Sequence, residues 1–147
     1  MKIGIVGFSK PHFNKEQARI FLEEAINNFV KESNENTIEI VSGLTNIGIP
    51  KISYESAVQN NWLTVGISAK MALQSGCGIF PCDKEIIVGM NFGDESNFFI
   101  NYIDVLIRVG GGKQSHKEVG LFKDKIKMQN NNISQYLIEK EVEWHGE

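Results

Sequence analysis

The chain has 147 residues, of which 41% are hydrophobic and 22% charged, and its formal net charge is −3. This length suits one domain with its own core, predicted to cover residues 1–147, and the composition is typical of globular proteins. The negative charge argues against nucleic acid as a partner, because such partners need clustered basic residues. Lys123, Lys125 and Lys127 alternate with other residue types and are predicted to be a solvated helix face.

No stretch approaches the ~18 apolar residues of a transmembrane helix, so we expect no membrane partner. The apolar run from Lys2 to Gly7 is too short for a signal peptide and predicts a first strand instead. Cys77 and Cys82 are too few for a disulfide framework and lack the neighbours of a zinc site. We therefore expect a cytoplasmic protein with reduced cysteines, no metal and no cofactor.

Apolar, β-branched runs alternate with segments of helical periodicity along most of the chain. The predicted strands cover, in chain order, residues 2–7, 37–41, 62–68, 85–89, 104–109 and 135–144. The predicted helices cover residues 14–30, 50–60, 69–74, 95–102 and 115–128. Asn14 and Gln17 form a capping-box pattern at the start of the first helix, and Pro50 suits the first position of the second.

Strands separated by helices predict an α/β fold of Rossmann type, with a doubly wound, mostly parallel sheet flanked by helices. The second, third and fifth strands are nearly continuously apolar, as expected for strands covered on both faces. In such a fold the ligand binds beyond the carboxyl ends of the strands, where the strand order reverses.

Small residues cluster at three predicted strand ends. The first strand ends in Gly7-Phe8-Ser9, the second continues into residues 42–48, and the fifth is followed by a triple glycine at residues 110–112. Glycine lets backbone N–H groups approach an anion closely, and the helix that follows favours negative charge at its N-terminus. The pattern predicts a bound phosphate group, although tight turns without a ligand would also explain it. The candidate ligand-binding residues are Gly7, Ser9, Ser42, Gly43, Asn46, Gly48, Arg108, Gly110, Gly111, Gly112, Lys113, Gln114, Ser115 and Glu118.

The turn after the fifth strand reads G-G-G-K-Q-S-H-K-E. It resembles the P-G-G-x-G-T-x-x-E signature of the SLOG superfamily, which includes the LOG-type proteins once labelled putative lysine decarboxylases. Gly111 and Gly112 match the paired glycines, Ser115 stands for the threonine and Glu118 matches the glutamate. Gly110 replaces the proline and Gln114 the third glycine, so the match is partial.

A second stretch supports this resemblance. The segment V-S-G-L-T-N-I-G-I-P, residues 41–50, is similar to the glycine turn that follows the second strand of the superfamily. Leu44 stands where that turn often has another glycine. The resemblance extends over most of the chain, from Lys2 to about Met128.

The resemblance implies a nucleotide or nucleotide-derived ligand, such as an ADP-ribose-type or cyclic nucleotide, and a homo-oligomer, a dimer or higher. LOG-type hydrolases cleave the N-glycosidic bond of nucleoside 5′-monophosphates with a carboxylate and an M-x-x-R-K segment. Glu118 would be the catalytic carboxylate, but the predicted helix at residues 95–102 has no Arg-Lys pair. We therefore favour a protein that senses or sequesters its ligand, with a phosphoribohydrolase as the alternative.

Three charged candidate residues each have a structural interpretation as well as a ligand-binding one. Arg108 lies at the end of a predicted buried strand and needs a partner, which a ligand phosphate, Glu118 or Asp104 would supply. Lys113 would either reach a phosphate or remain solvated. Glu118 would either contact the ligand or interact with the helix dipole.

Three further assignments follow from the local sequence. Asp94-Glu95 resembles a helix start with Asp94 as the N-cap, and contact with the ribose or base of a ligand is the alternative. His12, in the loop after the first strand, is a weaker candidate for ligand contact. Trp144 is expected to pack at a sheet edge or to contact a second copy of the chain.

Overall fold

The structure, a computed structural model, describes residues 1–145. Its six strands form one sheet in the order β4-β3-β2-β1-β5-β6, and every neighbouring pair is parallel. The strands are β1 (Lys2–Gly7), β2 (Glu39–Ser42), β3 (Leu63–Ser68), β4 (Lys84–Ile87), β5 (Val105–Val109) and β6 (Leu137–Lys140). The helices are α1 (Lys15–Glu32), α2 (Gly48–Gln59), α3 (Ser96–Tyr102) and α4 (Lys113–Met128). The predicted Rossmann-like α/β fold is confirmed.

The strand order reverses between β1 and β5. The chain builds outward from β1 to β4 on one side and then returns to place β5 and β6 on the other. Gly7, the last residue of β1, lies opposite Val109, the last residue of β5. The carboxyl ends of these two strands, and the turns that follow them, therefore meet where a ligand is expected in a parallel sheet.

The core has two layers because alternate side chains of each strand point to opposite faces. Ile3 and Ile5 of β1 pack with α1 and α2, in a cluster that includes Leu22 and Tyr54. Val6 of the same strand belongs to the opposite cluster, which includes Phe122 of α4. The predicted single domain over residues 1–147 stays a prediction, and its last two residues lie outside the described part.

The structure changes several predicted boundaries. Asn14 Oδ1 accepts the N–H of Gln17 at 3.0 Å, but the Gln17 side chain accepts from Glu143 N–H instead of closing a capping box. α2 begins at Gly48, two residues before Pro50, and α4 begins at Lys113 instead of Ser115. Residues 70–74 form a 3₁₀ turn.

The last predicted strand, residues 135–144, is too long. β6 ends at Lys140, and the chain then turns toward the loop before α1. There Asn14 N–H donates to Glu143 O at 2.8 Å, and Trp144 forms an isolated antiparallel bridge with Phe13. An alternation of apolar and polar residues does not specify whether the backbone hydrogen bonds of the segment are made to a neighbouring strand or to a loop.

Lys125 is an exception to the predicted solvated face, while Lys123 and Lys127 are exposed. Its Nζ donates to the main-chain oxygens of Ile100 and Ile103 at the end of α3, and burial lowers its pKa. Cys77 and Cys82 are free thiols. Within the described residues, no helix is both long and apolar enough to cross a membrane.

Candidate functional site

A cavity of about 330 Å³ lies at the carboxyl ends of β1, β2 and β3, beside the N-terminus of α4. Its apolar wall includes Ile67 at the end of β3 and the aromatic rings of Phe92 and Phe99. Its charged lining residues are Glu95, Lys113 and Glu118. The cavity therefore combines flat apolar surface with both signs of charge, which suits an amphipathic small molecule.

The first turn of α4 leaves its backbone donors available to this cavity. Gly112 is the N-cap and has no side chain to cap the helix. Among residues 1–145, no protein oxygen accepts the backbone N–H groups of Lys113, Gln114 or Ser115, and all three residues line the cavity. Unpaired N–H groups and the helix dipole make this end of α4 attractive to an anion.

The turn after β2 differs, because the protein itself satisfies several of its amides. Ser68 Oγ accepts the N–H of Leu44 at 2.8 Å, and Gly78 O accepts the N–H of Asn46 at 3.1 Å. Phe8 O accepts the N–H of Ile49, at the start of α2, at 2.8 Å. Ser42 and Gly43 still line the cavity, but this turn is mainly a packed structural element.

Glu118 lies on the buried face of α4, where its side chain lines the cavity. Its Oε2 accepts a hydrogen bond from Ser96 Oγ at 3.0 Å. Burial raises the pKa of Glu118 to about 7, and the negative charge of Glu95 adds to this effect. Hydrogen bonds from Ser96 and Gln114 act in the opposite direction. Glu118 is therefore protonated more readily near neutral pH than an exposed glutamate, which suits a group that donates or accepts a proton.

The glycine turn is tied to β1 by its side chains and its backbone. Ser115 Oγ donates to Gly7 O at 3.2 Å, so the residue in the threonine position of the SLOG signature connects α4 to the end of β1. Gly110 has φ +61°, and a Cβ atom there would overlap the Phe8 ring. Proline, with φ near −65°, cannot adopt this conformation.

Arg108 points away from the cavity, toward β6 and the segment that follows it. Its Nε donates to Glu139 at 2.7 Å, and its Nη1 donates to Glu141 at 2.6 Å and to Gly110 O at 2.8 Å. Burial works against its charged form, but the hydrogen bonds that Arg108 donates to the two glutamates, together with their negative charges, outweigh burial and raise the pKa of Arg108. The partner that this buried cation needs is therefore the protein itself, and neither Glu118 nor Asp104 fills that role.

The structure brings most of the sequence-predicted site residues to one cavity. Those that line it are Gly7, Ser9, Ser42, Gly43, Gly112, Lys113, Gln114, Ser115 and Glu118. Those that do not are Asn46, Gly48, Arg108, Gly110 and Gly111. Gly48 and Gly110 are needed for close packing against the Phe8 backbone and ring, respectively. The ligand contacts of all these residues stay predictions.

Sequence reasoning missed several residues that line the cavity: Thr45, Pro50, Ser68, Phe92 and Phe99. It gave Glu95 a ligand contact only as the alternative to a helix start. Ser68 ends β3 and is detectable by the same strand-end rule that found Ser42. Phe92 and Glu95 lie before a short helix, where only the fold brings them to the cavity. The sequence predicts Asp94 as the N-cap of α3, but the N-cap is Glu95. The Glu95 side chain forms no capping hydrogen bond with the helix.

Asp94 instead organises the loop that carries Phe92. Its Oδ2 accepts the backbone N–H groups of Met90 at 3.0 Å and Asn91 at 2.9 Å, and these bonds lower its pKa. His12 lies outside the cavity, with its ring edge against Trp144. Among the residues that the structure describes, no three His, Cys, Asp or Glu side chains converge as metal ligands.

No protein-family model matches this sequence, and comparison with curated protein sequences gives no match. Solved structures do match over most of the chain. The protein TM1055, a structural genomics target, has a TM-score of 0.64 at 14% identity, with 96% of this chain and 91% of that chain covered.

Two other matches are proteins described by their ligand. The molybdenum cofactor carrier protein of Chlamydomonas reinhardtii has a TM-score of 0.64 at 17% identity, with 96% and 89% of the two chains covered. The molybdenum cofactor binding protein of the phototrophic bacterium Rippkaea orientalis has a TM-score of 0.65 at 16% identity and the same coverage. At these identities the likeness establishes a shared Rossmann-like α/β fold over nearly the whole of this chain.

Proposed function

We propose that this protein binds a phosphate-bearing small molecule of nucleotide type in the cavity and releases it unchanged, as a sensor, carrier or sequestering protein. One observation carries the proposal: the free backbone N–H groups of Lys113, Gln114 and Ser115 border a cavity at the point where the strand order reverses. A phosphate group would accept hydrogen bonds from these amides, and the Lys113 ammonium would add a positive charge.

The comparisons support a ligand-holding role of the SLOG type. Two solved proteins with this fold are described as binding or carrying the molybdenum cofactor. That cofactor combines a phosphate with a flat heterocycle, as a nucleotide does. The cavity has apolar and aromatic walls next to its anion-binding amides, so both kinds of ligand fit the same chemical description.

The test is to titrate the purified protein with AMP, GMP and ADP-ribose and to measure the binding heat by calorimetry. Adenosine is the phosphate-free control. We expect the phosphorylated compounds to bind and adenosine to bind at least about tenfold more weakly, because one charge-assisted hydrogen bond contributes about 1.5–3 kcal/mol. Intact ligand should be recovered by mass spectrometry after denaturation. Equal affinity for AMP and adenosine would contradict the proposed phosphate site.

The variant Gly112→Asp separates binding from folding. No protein atom lies within 4 Å of a Cβ atom at this position, and φ is −109°, so the fold accepts a side chain. An aspartate N-cap should raise the free energy of unfolding by a few tenths of a kcal/mol, since it would accept the free amides. The same carboxylate would repel phosphate and remove ligand binding. Gly76→Ala, which is also free of contacts but outside the cavity, is the matched control.

A phosphoribohydrolase is the second candidate, and the position of Glu118 favours it. A buried carboxyl group whose pKa is raised to about 7 is suited to proton transfer during glycosidic-bond cleavage. Against it, the arginines of the chain, Arg19 and Arg108, are both paired with glutamates of the protein and neither lines the cavity.

Chromatography distinguishes the two functions. If the protein is a hydrolase, incubation with AMP releases free adenine and Glu118→Gln abolishes the release while AMP still binds. If it is a binding protein, AMP remains intact over many hours at stoichiometric protein concentration. Release of adenine by the unaltered protein but not by the variant would replace the binding proposal with the enzymatic one.

A further inference from the structure

Glu95 is a buried acid for which the described residues provide no cation. It is 5% exposed, it lines the cavity, and no Lys, Arg or His side chain among residues 1–145 forms an ion pair with it. Its Oε1 accepts the N–H of Gly93 at 2.7 Å. Within residues 1–145 its Oε2 accepts no hydrogen bond. The described side-chain atoms that are buried without a partner are Asn46 Oδ1 and Ser56 Oγ, so Glu95 Oε2 is open to the cavity and is suited to a donor carried by the ligand.

The segment before Glu95 holds an aromatic ring next to this carboxylate. Phe92 lines the cavity, and its side chain is 52% exposed, so the ring is accessible to a ligand. The two hydrogen bonds from Met90 and Asn91 to Asp94 hold the loop in place. An exposed ring and a carboxylate three residues apart thus face one space, the first able to stack on a flat heterocycle and the second able to accept hydrogen bonds from its edge.

We propose that Phe92 and Glu95 recognise a heterocycle with adjacent ring N–H and exocyclic amino groups, the 2-amino-4-oxo edge shared by guanine and pterins. Such an edge presents two parallel donors, one for the open Oε2 and one for the second lone pair of Oε1, which also accepts the Gly93 N–H. Adenine presents a single amino group beside a ring acceptor at the corresponding edge. This inference rests on the proposed function, because the phosphate of the same ligand would lie at the N-terminus of α4.

The dimensions of the site agree with a ligand of this length. Glu118 lies six residues after Gly112 on α4, a distance of about 9 Å along a helix. Glu118 and Glu95 are close enough for the charge of Glu95 to raise the pKa of Glu118. The two carboxyl groups are therefore neighbours of each other and separated from the N-terminus of α4, and a sugar or similar spacer would separate the phosphate from the heterocycle.

The experiment compares GMP, IMP and AMP by calorimetry, because the three share the same ribose phosphate. IMP lacks the exocyclic amino group of GMP and is otherwise identical. We expect GMP to bind at least about tenfold more tightly than IMP or AMP. Neopterin monophosphate, a phosphorylated pterin, is titrated in parallel. Whichever of this compound and GMP has the higher affinity identifies the class of ligand, pterin or guanine nucleotide, that carries the recognised edge.

Glu95→Gln assigns the discrimination to one residue. The amide oxygen still accepts the Gly93 N–H, so the loop is preserved, but the amide nitrogen opposes the donor edge of guanine. The ratio of GMP to IMP affinity should fall close to one in this variant. Glu55→Gln, on the exposed face of α2, is the matched control and should keep the ratio of the unaltered protein.

Two outcomes overturn the inference while the proposed function stands. Equal binding of GMP, IMP and AMP would mean that the carboxylates contact the ribose and not the base. Discrimination that survives Glu95→Gln but disappears in Glu118→Gln would assign the edge to the other carboxyl group. If none of the three nucleotides nor the pterin binds, the proposed function itself fails.

Discussion

On one side of the glycine turn after β5, the guanidinium of Arg108 is enclosed by Glu139, Glu141 and Gly110 O. On the other side, the carboxyl groups of Glu95 and Glu118 face a cavity without a cation partner from the described residues. We call these regions the closed side and the open side. The closed side consists of Phe8, Arg108, Gly110, Glu139, Glu141 and Trp144, and the open side consists of Phe92, Glu95, Gly112, Lys113, Gln114, Ser115 and Glu118.

The difference shows how buried charge distinguishes structure from binding. A charge that is fully paired within the protein contributes to folding and has little left to offer a ligand. A charge that is buried without a partner lowers stability, so a ligand that supplies the partner gains binding energy at that place. Substitutions at the boundary, on the open side and on the closed side test this difference, with expected effects that decrease in that order.

Gly7 lies at the boundary between the two sides, and Gly7→Ala should have the largest effect. A Cβ atom there would overlap Val109 O and would lie 2.9 Å from Ile49 Cγ1, so β1 and β5 would have to separate. We expect the free energy of unfolding to fall by about 3 kcal/mol, measured by urea denaturation. Gly112→Ala, which meets no protein atom within 4 Å, is the control and should change it by less than about 0.5 kcal/mol. Equal effects of the two substitutions would mean that the close packing of Gly7 against Val109 and Ile49 does not limit the size of the side chain at position 7.

Glu118→Gln tests the open side through the pH dependence of stability. The folded pKa of Glu118 is raised from 4.5 to about 7, so the folded state binds more protons than the unfolded state between these values. Its contribution to stability is therefore complete below about pH 4.5 and is lost as the pH rises through 7. A shift of this size corresponds to about 3 kcal/mol.

The variant cannot ionise, so it should be more stable than the unaltered protein at pH 8, by about 2–3 kcal/mol, and should gain nothing at pH 4. Thermal denaturation at a series of pH values measures the difference. Glu24→Gln, at an exposed position of α1, is the control. A difference between variant and unaltered protein that does not change with pH would show that Glu118 titrates normally.

Arg108→Met tests the closed side. Removal of the guanidinium leaves Glu139 and Glu141 without their partner, but Glu141 is largely exposed, so the loss should be below that of a fully buried pair. We expect the free energy of unfolding to fall by about 2 kcal/mol, with the affinity for AMP unchanged under conditions where the variant is folded. A loss of AMP affinity without a loss of stability would return Arg108 to the ligand site, as the sequence predicted.

Trp144→Ala should have the smallest effect. The Trp144 ring packs on Phe8, with ring centroids 4.8 Å apart, and it remains 46% exposed. Loss of this aromatic contact should lower the free energy of unfolding by about 1 kcal/mol and leave AMP binding unchanged. The size of the protein in solution, measured by light scattering, checks the alternative from the sequence. Dissociation of an oligomer in this variant would identify Trp144 as a contact between copies.

Much of the site was predictable because strand ends are visible in sequence. The apolar runs that end at Gly7, Ser42 and Val109 mark the carboxyl edge of a parallel sheet, and residues just beyond such an edge lie near one another whatever the strand order. The glycine turn before α4 was found for the same reason. Glu118 was found because its spacing from that turn matches the SLOG signature.

The remaining residues were not predictable, since their roles depend on contacts between distant parts of the chain. Arg108 has Glu139 as its partner because β5 and β6 are adjacent and place these two residues opposite each other. No local pattern specifies that register. Phe92 and Glu95 look like an ordinary loop and helix start, and they become part of the cavity only when α3 packs against α4. Asn46 follows β2 as the strand-end rule requires, but it does not line the cavity.

The sequence by itself determined the kind of fold and the edge of the sheet where ligands are expected, because hydrophobic periodicity and glycine placement act over a few residues. The tertiary structure decided which charges are paired and which remain open, because pairing depends on strand order, register and helix packing over more than twenty residues of separation. Arg108 and Glu118 lie only ten positions apart, yet one is enclosed by the protein and the other faces the cavity.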